Sequence, residues 1–414
     1  MIRMPSQIVT LMKPNIAWYV VVTALALSFM GVMVIGTVSP TLASDQSRWV
    51  VIALVGMVMC VLPHPKQLSV IAMPAMVITL ALLVLLLLPG IPTWLVRPRN
   101  GARSWINLVF MDFQPAEMAK IVFVMALARY LRRRDSYRTL IGLLIPFLIM
   151  FIPVGLILKQ PDLGSALLFP PALFAMLLAA GAKLRHLTAL LSIGILAIVV
   201  NVAIIALDPP VISPNGRILP HPPATRWMHV LKPHQEARIA ASISQFKGEK
   251  TYSRTTGYQQ ETAMMLSGAG GVLGMGDRSE VILRYNWLPE RHNDMIFSII
   301  VNRWGLVGGL VTMFLYLLLF YAFIVVAARS KDPFARLTTV GFAALLFTQA
   351  TINVAVNIGL MPITGITLPF ISYGGSSLLA TFMMVGIVIN FASRPPEMLA
   401  RPSFEFDNRE AIFQ

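Results

Sequence analysis

Few side chains in this sequence carry charge, and those that fall in or beside apolar runs define the chemistry open to it. Asp294 closes the segment Leu288-Pro289-Glu290-Arg291-His292-Asn293-Asp294 and directly precedes an apolar stretch. Two readings of it stand. As the last polar residue before a helix it is an N-cap. As a carboxylate at a membrane edge it is a general base, able to take the proton of a hydroxyl nucleophile. One carboxylate is too few for a two-carboxylate hydrolase but serves a transferase whose acceptor supplies the attacking oxygen. Glu290 and His292 could support that base or bind a metal, although H-x-D spacing alone does not define a metal site.

Glu117 and Lys120 are three residues apart and share one helix face. Pro115 suits the first helical position and Glu117 the first turn, where the helix dipole favours a carboxylate. Lys120 has no such explanation, so the pair is either a structural staple or the lining of a polar cavity. Arg97, Arg99 and Arg103 crowd a stretch whose one acid is Asp112, an arrangement for an anion or simply tolerated surface charge. Lys159-Gln160-Pro161-Asp162-Leu163-Gly164 is dense for a plain turn, though Lys159 alone could snorkel. Arg303, inside an apolar run, requires a cavity or a partner carboxylate. Asn353 and Asn357, four apart, suit interhelical hydrogen bonds. Gly268, Gly270, Gly271, Gly274 and Gly276 read as a flexible run, without the Lys-Ser/Thr ending of a P-loop. The Pro- and Gly-rich passage from Asn353 to Ser377 reads as a broken or re-entrant segment, tolerated at membrane depth only where it is buried or lines a cavity.

The elements that must position these residues are membrane helices. Of 414 residues 57% are hydrophobic and only 12% charged, and mean hydropathy is +0.73. Soluble domains carry about 25% charged residues, so a soluble enzyme, a disordered chain and a fibrous repeat are excluded. Apolar runs at 16–38, 49–63, 68–88, 116–131, 139–158, 164–181, 187–207, 295–328, 336–358 and 369–392 predict an all-α polytopic protein of about ten spans. It forms one integral membrane domain, 1–414. The first run reads as a retained anchor, since it is too long for a signal peptide and no cleavage site follows before Asp45. Lys and Arg concentrate near the first residues, Lys66, 129–138, 183–185, 329–336 and the tail, which predicts both termini on the cytoplasmic side. The opposite side then holds 39–48, 89–115, 159–163, 359–368 and a large extracytoplasmic loop, 208–294. The net charge of +15 reads as topology and anionic lipid rather than nucleic acid. The single Cys60 excludes a disulfide framework and reads as a packing residue.

Together the motifs resemble the SEDS family (shape, elongation, division and sporulation). The matching pieces are Gly101-Ala-Arg103-Ser-Trp105-Ile, Phe113-Gln114-Pro-Ala-Glu117-Met-Ala-Lys120, Lys159-Gln-Pro-Asp162-Leu-Gly164, Leu231-Lys-Pro-His-Gln-Glu-Ala-Arg238-Ile, Gly257-Tyr-Gln259, Gly270–Gly276, Leu288–Asp294 and Asn353–Ser377. They occur in family order along the chain, and K-Q-P-D-L-G and P-I-T-G-I resemble the rod-elongation branch. The resemblance implies a glycosyltransferase of the bacterial inner membrane that polymerises lipid II into β-1,4-linked glycan strands. It implies Asp294 as catalytic base, and Arg103, Lys120, Glu117, Trp105, Gln114, Lys159, Asp162, Arg238, Glu290, His292 and Ser376 around the substrates. Lipid II, undecaprenyl diphosphate and a class B penicillin-binding transpeptidase are the implied partners. No organic cofactor is implied, and a divalent cation, Mg²⁺ or Mn²⁺, is compatible. A lipid II flippase, a division-branch polymerase and a scaffold for the transpeptidase are the alternatives. Two departures stand out: Asn293 where the family usually has Thr, and Asn302-Arg303-Trp304-Gly305 where it usually has an acidic Glu-Leu-Gly stretch. The family's acidic role at that place is therefore not carried over.

Overall fold

The computed structural model describes residues 16–92, 94–96, 103–108, 112–134, 136–211, 213, 218–219, 221–222, 229, 231–249, 251–252, 257–279 and 293–394. Ten helical passages cross one bundle: α1 Ile16–Val38, α2 Pro40–Val61, α3 Pro65–Leu85, α4 Pro115–Arg133, α5 Leu144–Lys159, the pair α6 Leu163–Leu167 and α7 Phe169–Ala180, α8 Leu184–Leu207, α11 Ile296–Arg329, α12 Pro333–Asn357 and α13 Gly375–Ala392. Between α8 and α11 lie α9 Pro233–Phe246 and α10 Tyr258–Gly270, so the large loop has helical content of its own. A two-stranded hairpin, β1 Ile106–Asn107 against β2 Asp112–Phe113, leads into α4.

Nine of the described passages are long and apolar enough to span a bilayer. The tenth, α4, fails that test because it carries Glu117, Lys120, Arg129, Arg132 and Arg133. It is nevertheless the core of the bundle, with 14 of its 19 residues buried. Polar side chains are expensive toward lipid, so the helix that holds them is surrounded by others.

Three boundaries differ from expectation. The second span begins at Pro40, not near 49: Ser39 accepts from Leu42 N–H and Pro40 takes the first helical position, both helix-start signals. The stretch 39–48 is therefore helix rather than loop, and its buried Gln46 donates to Ser372 O at 3.1 Å. The last span begins at Gly375, because 359–374 is non-helical. Most of 363–372 is buried, and its backbone finds partners within the protein, as hydrocarbon requires. Leu368 N–H goes to Ser372 Oγ, and Tyr316 Oη–H goes to Pro369 O.

The third difference is in α11. A straight helix of 34 residues would be about 50 Å long, well beyond a hydrocarbon core of about 30 Å. It breaks at Gly305, where φ is 68° and ψ −165°. The glycines after α10 fill the break. Met275 and Gly276 N–H bond Asn302 O and Arg303 O at 2.9 and 3.0 Å, and Leu306 and Val307 N–H bond Gly271 O and Val272 O at 2.9 and 3.2 Å. The glycine run is thus a backbone splice, neither flexible linker nor phosphate cradle. Arg303 lies before the break rather than deep in a continuous span, and meets Asp277 at 3.5 Å.

At the other end of the bundle α13 closes α2. Asn390 Nδ2 donates to Cys60 O and Val61 O, and Arg394 Nη1 to Pro63 O, which satisfies carbonyls that a helix C-terminus leaves open.

Candidate active site

The segment Ile363–Thr367, buried at Ile363, Thr364 and Ile366 and exposed at Gly365, forms a wall with the expected site residues on both sides. Asn353, on α12, donates to Ile366 O at 2.7 Å and to Asp294 O at 2.9 Å. Asn357, one turn on, donates to Asp294 O at 2.8 Å. These two carboxamides therefore tie Asp294 to the wall; the interhelical bond that their spacing predicts is the one from Ser298 to Asn357 Oδ1. The Asp294 carboxylate lies beside Gly365, with Oδ2 3.8 Å from where a Cβ there would stand. Gly365 has φ +77°, so a side chain would be both strained and placed against the carboxylate.

Asp294 is not the N-cap of the helix it precedes. Met295 holds the cap position without a side-chain bond, and the Ser298 N–H is taken at 3.0 Å by Asn357 Oδ1 from the neighbouring helix. The aspartate is thus fixed through its backbone while its half-buried side chain sits at the wall.

On the opposite side α4 presents its charged pair. Lys120 Nζ lies 2.8 Å from Glu117 Oε2 and 3.5 Å from Gln349 Oε1. Gln349 Nε2 donates to Thr367 O at 3.0 Å, and Thr367 Oγ1 meets Ser377 Oγ at 3.2 Å. Lys120 is 1% and Glu117 6% exposed. In this conformation the ammonium is satisfied within the protein and reaches no ligand directly. Glu117 is a counter-ion rather than a cap, and Gln114 at the α4 N-cap makes no side-chain cap bond.

Gln114 and Ser376 link this side together. Gln114 N–H donates to Ser376 Oγ at 3.0 Å, and its side chain donates to Asp162 Oδ2 at 3.1 Å. Asp162 in turn caps α6 through Ser165 N–H and Oγ–H at 2.9 and 2.7 Å. A Cβ on Gly164 would lie 2.6 Å from Thr364 O, so the glycine ending K-Q-P-D-L-G permits α6 to touch the wall.

Other expected residues stand apart. Arg103 and Lys159 are exposed, and Trp105 is half-buried on the strand-side approach. Ser104 Oγ–H, beside Arg103, reaches Gln160 O at 3.4 Å. Arg238, on α9, is exposed yet donates to Ile363 O at 3.3 Å, which brings one cation to the wall's outer edge. Next to it, the His234 pKa is held below the ordinary histidine range, first by burial and then by Arg238 and Lys232. At neutral pH that edge therefore carries its positive charge on Arg238 and Lys232. Arg97, Arg99, Glu290 and His292 lie outside the described residues. Sequence reading missed Gln349, Thr367 and Ser377, whose uncharged side chains carry no signal until α4 and α12 are brought together.

A bundle of ten passages with a buried ionic helix at its core, and a carboxylate fixed at a non-helical wall, defines a polytopic membrane protein with a polar site. The family model described as "Cell cycle protein", FtsW/RodA/SpoVE, matches residues 7–395, and the chain belongs to this family. A probable peptidoglycan glycosyltransferase FtsW of Mycobacterium tuberculosis is 32% identical over 359 residues, covering 86% of this chain but only 61% of that protein. One from Thiomicrospira cyclica is 33% identical, covering 78% of this chain and 77% of that protein. A chain from a solved structure described as "Structural coordination of polymerization and crosslinking by a peptidoglycan synthase complex" superposes with a TM-score of 0.71 at 29% identity, covering 90% of this chain and 96% of that one. The rod shape determining protein RodA of Thermus thermophilus superposes with a TM-score of 0.63 at 26% identity, covering 91% and 97%.

Proposed function

We propose that the chain is a peptidoglycan glycosyltransferase that polymerises lipid II at the outer face of a bacterial inner membrane. Ten crossings would leave both termini on one side, and the distribution of Lys and Arg supports the cytoplasmic one. The 208–294 segment then lies outside, together with Asp294 and Arg238. The carrying observation is Asp294, whose backbone is held by Asn353 and Asn357 and whose carboxylate lies beside Gly365. Asp294 takes the proton of the acceptor 4-hydroxyl as that oxygen attacks the donor's anomeric carbon. The carbon–oxygen bond to undecaprenyl diphosphate breaks and the configuration inverts, which gives a β-1,4 link. Arg103 and Arg238 are exposed cations suited to the leaving diphosphate. Lys120 joins them if its pair with Glu117 opens, and otherwise holds the wall from behind.

The flippase reading needs ionisable groups that continue through the membrane. Among the described residues the buried ones include Glu117, Lys120, His221, His229 and Glu236, and beyond Lys120 the buried run Ile121–Ala128 of α4 is wholly apolar. This favours chemistry at one face. The elongation role rests on K-Q-P-D-L-G and P-I-T-G-I, while the named relatives include FtsW by sequence and RodA by structure. One solved relative belongs to a peptidoglycan synthase complex in which polymerisation and crosslinking are coordinated, which supports a class B penicillin-binding transpeptidase as partner.

Asp294→Asn tests the reading. The substitution keeps shape and leaves the backbone carbonyl to Asn353 and Asn357, so folding is expected to be intact. Purified protein supplied with lipid II should form glycan strands at a rate lower by about 10²-fold or more. A folded variant that polymerises near the wild-type rate overturns the catalytic assignment.

A further inference from the structure

Outside this site, four ionisable side chains meet where α8 gives way to the outer segment. Asp208 ends α8, His221 and His229 follow in the connection, and Glu236 lies in the first turn of α9. The side chains of His221, His229 and Glu236 are 5%, 3% and 1% exposed, while that of Asp208 is 47% exposed. The two imidazoles stack with centroids 3.6 Å apart and planes 11° from parallel. Each ring touches one oxygen of Glu236: His221 Nε2 at 2.7 Å from Oε2, and His229 Nδ1 at 3.1 Å from Oε1. The remaining ring nitrogens both face Asp208 Oδ2, His221 Nδ1 at 3.6 Å and His229 Nε2 at 3.4 Å.

An ionised carboxylate only accepts, so Glu236 sets the tautomer of both rings. Neutral imidazoles must place their protons on His221 Nε2 and His229 Nδ1, which leaves His221 Nδ1 and His229 Nε2 as lone pairs. Those lone pairs face a third acceptor, Asp208 Oδ2, and one ligand atom from each of the three residues lies within 4.8 Å of the others. Three acceptors drawn together call for a cation between them. In a tetrahedral site with ligand bonds of about 2.1 Å, ligand atoms stand about 3.4 Å apart. The distances from the two rings to Asp208 are already near that value. A buried carboxylate behind metal-binding histidines is the usual orienting partner, and here one glutamate serves two rings.

We propose that Asp208, His221 and His229 bind a divalent transition metal, Zn²⁺, with Glu236 as the residue that orients both histidines. Two imidazoles and one carboxylate favour zinc over Mg²⁺ or Ca²⁺, which prefer all-oxygen sites. Capture tilts the stacked rings toward each other about their Glu236 anchors, because parallel rings aim their lone pairs alongside one another. Asp208, with a side chain 47% exposed, puts the ligand set within reach of solvent. The ion joins the end of α8 to α9, whose Arg238 holds Ile363 O of the wall, so it braces the outer segment. The ligand set does not include Glu290 or His292, and the proposal does not depend on the polymerase reading.

The test uses the full chain, purified in detergent without a histidine tag, stripped with chelator and dialysed against Zn²⁺. One zinc per chain is expected by elemental analysis, and Co²⁺ in its place should give the visible absorption of a tetrahedral site. His221→Ala and His229→Ala should abolish uptake, Glu236→Gln should weaken it about 10–100-fold, and His292→Ala should leave it unchanged. Should an alanine variant misassemble, Asp208→Asn at the exposed ligand decides the matter by the same loss. No zinc uptake by the wild type, uptake unchanged in all three ligand variants, or uptake lost in His292→Ala overturns the proposal.

Discussion

Helices α4 and α8 invert the relation between apolarity and burial that holds in water. Among the candidate spans α8 has the most apolar window, yet only 6% of that window is buried. Its buried residues are Leu187 and Ile205, near its two ends. Ile205 packs in a small cluster with Ala240, Ala241 and Tyr252 of the segment between α8 and α11, apart from the main core. By contrast, α4 is too charged to qualify as a span by composition and is almost wholly enclosed. Lipid is as apolar as leucine, so apolar surface gains nothing by leaving it, whereas an ion gains greatly. In this protein the polar residues therefore set the centre of the bundle, and the most hydrophobic helix is left outside.

The largest effect expected from that inversion is at Lys120. Replacing it with Met removes the counter-ion of a carboxylate that is 6% exposed. Breaking a buried pair on one side costs about 3–5 kcal/mol. Denaturant titration of the purified protein should show a loss of that order. The double variant Glu117→Gln with Lys120→Met should recover most of it, because no unpaired charge remains. A single Lys120→Met variant as stable as wild type would break the contrast, since α4 would then tolerate an uncompensated ion at the core.

A smaller effect is expected at the splice between α10 and α11. Gly305 has φ 68° and ψ −165°, a region that only glycine enters freely. A Cβ there would stand 2.2 Å from Val272 O and 2.4 Å from Gly274 N. Gly305→Ala should cost about 1–3 kcal/mol from backbone strain, with the clash added to it. The same titration reads the loss. Protection of the Leu306 and Val307 amides from hydrogen exchange should fall with it, because their acceptors lie on the displaced loop.

Much of this arrangement was legible in the sequence, for identifiable reasons. Apolar runs gave the ten passages because a bilayer imposes length and composition together. Lys120 stood out because capping explains Glu117 but not an ammonium further along the helix. Asn353 and Asn357 announced interhelical bonds by their spacing. What stayed hidden depends on partners distant in the chain. Asn357, 63 residues beyond Asp294, takes the Ser298 amide that a capping aspartate would be expected to serve. The glycines after α10 look like a linker until the gap in α11 that they fill is seen. His221 and His229 are separated by a Pro-containing stretch, with Asp208 and Glu236 on different helices, so no short motif joins them.

The smallest effect should appear at Gly194, in the middle of α8. It is the counterpart of Gly305: a helical glycine with nothing within 4 Å of where a Cβ would stand. In a soluble helix Gly→Ala would be worth about 0.5–1 kcal/mol in favour of folding, from backbone entropy. In a bilayer the reference state is itself helical, because backbone groups stay paired in lipid, and that term shrinks. Gly194→Ala should therefore change stability by less than about 0.5 kcal/mol, read by the same titration as Lys120→Met and Gly305→Ala. A loss near that of Gly305→Ala would mean that the α8 midsection is packed against protein. On the proposed function, a stable variant that forms glycan strands poorly from lipid II would mean instead that a lipid substrate lies close enough to this face to feel one methyl group. An unchanged protein leaves α8 as the opposite of α4, held at its two ends and otherwise bathed in lipid.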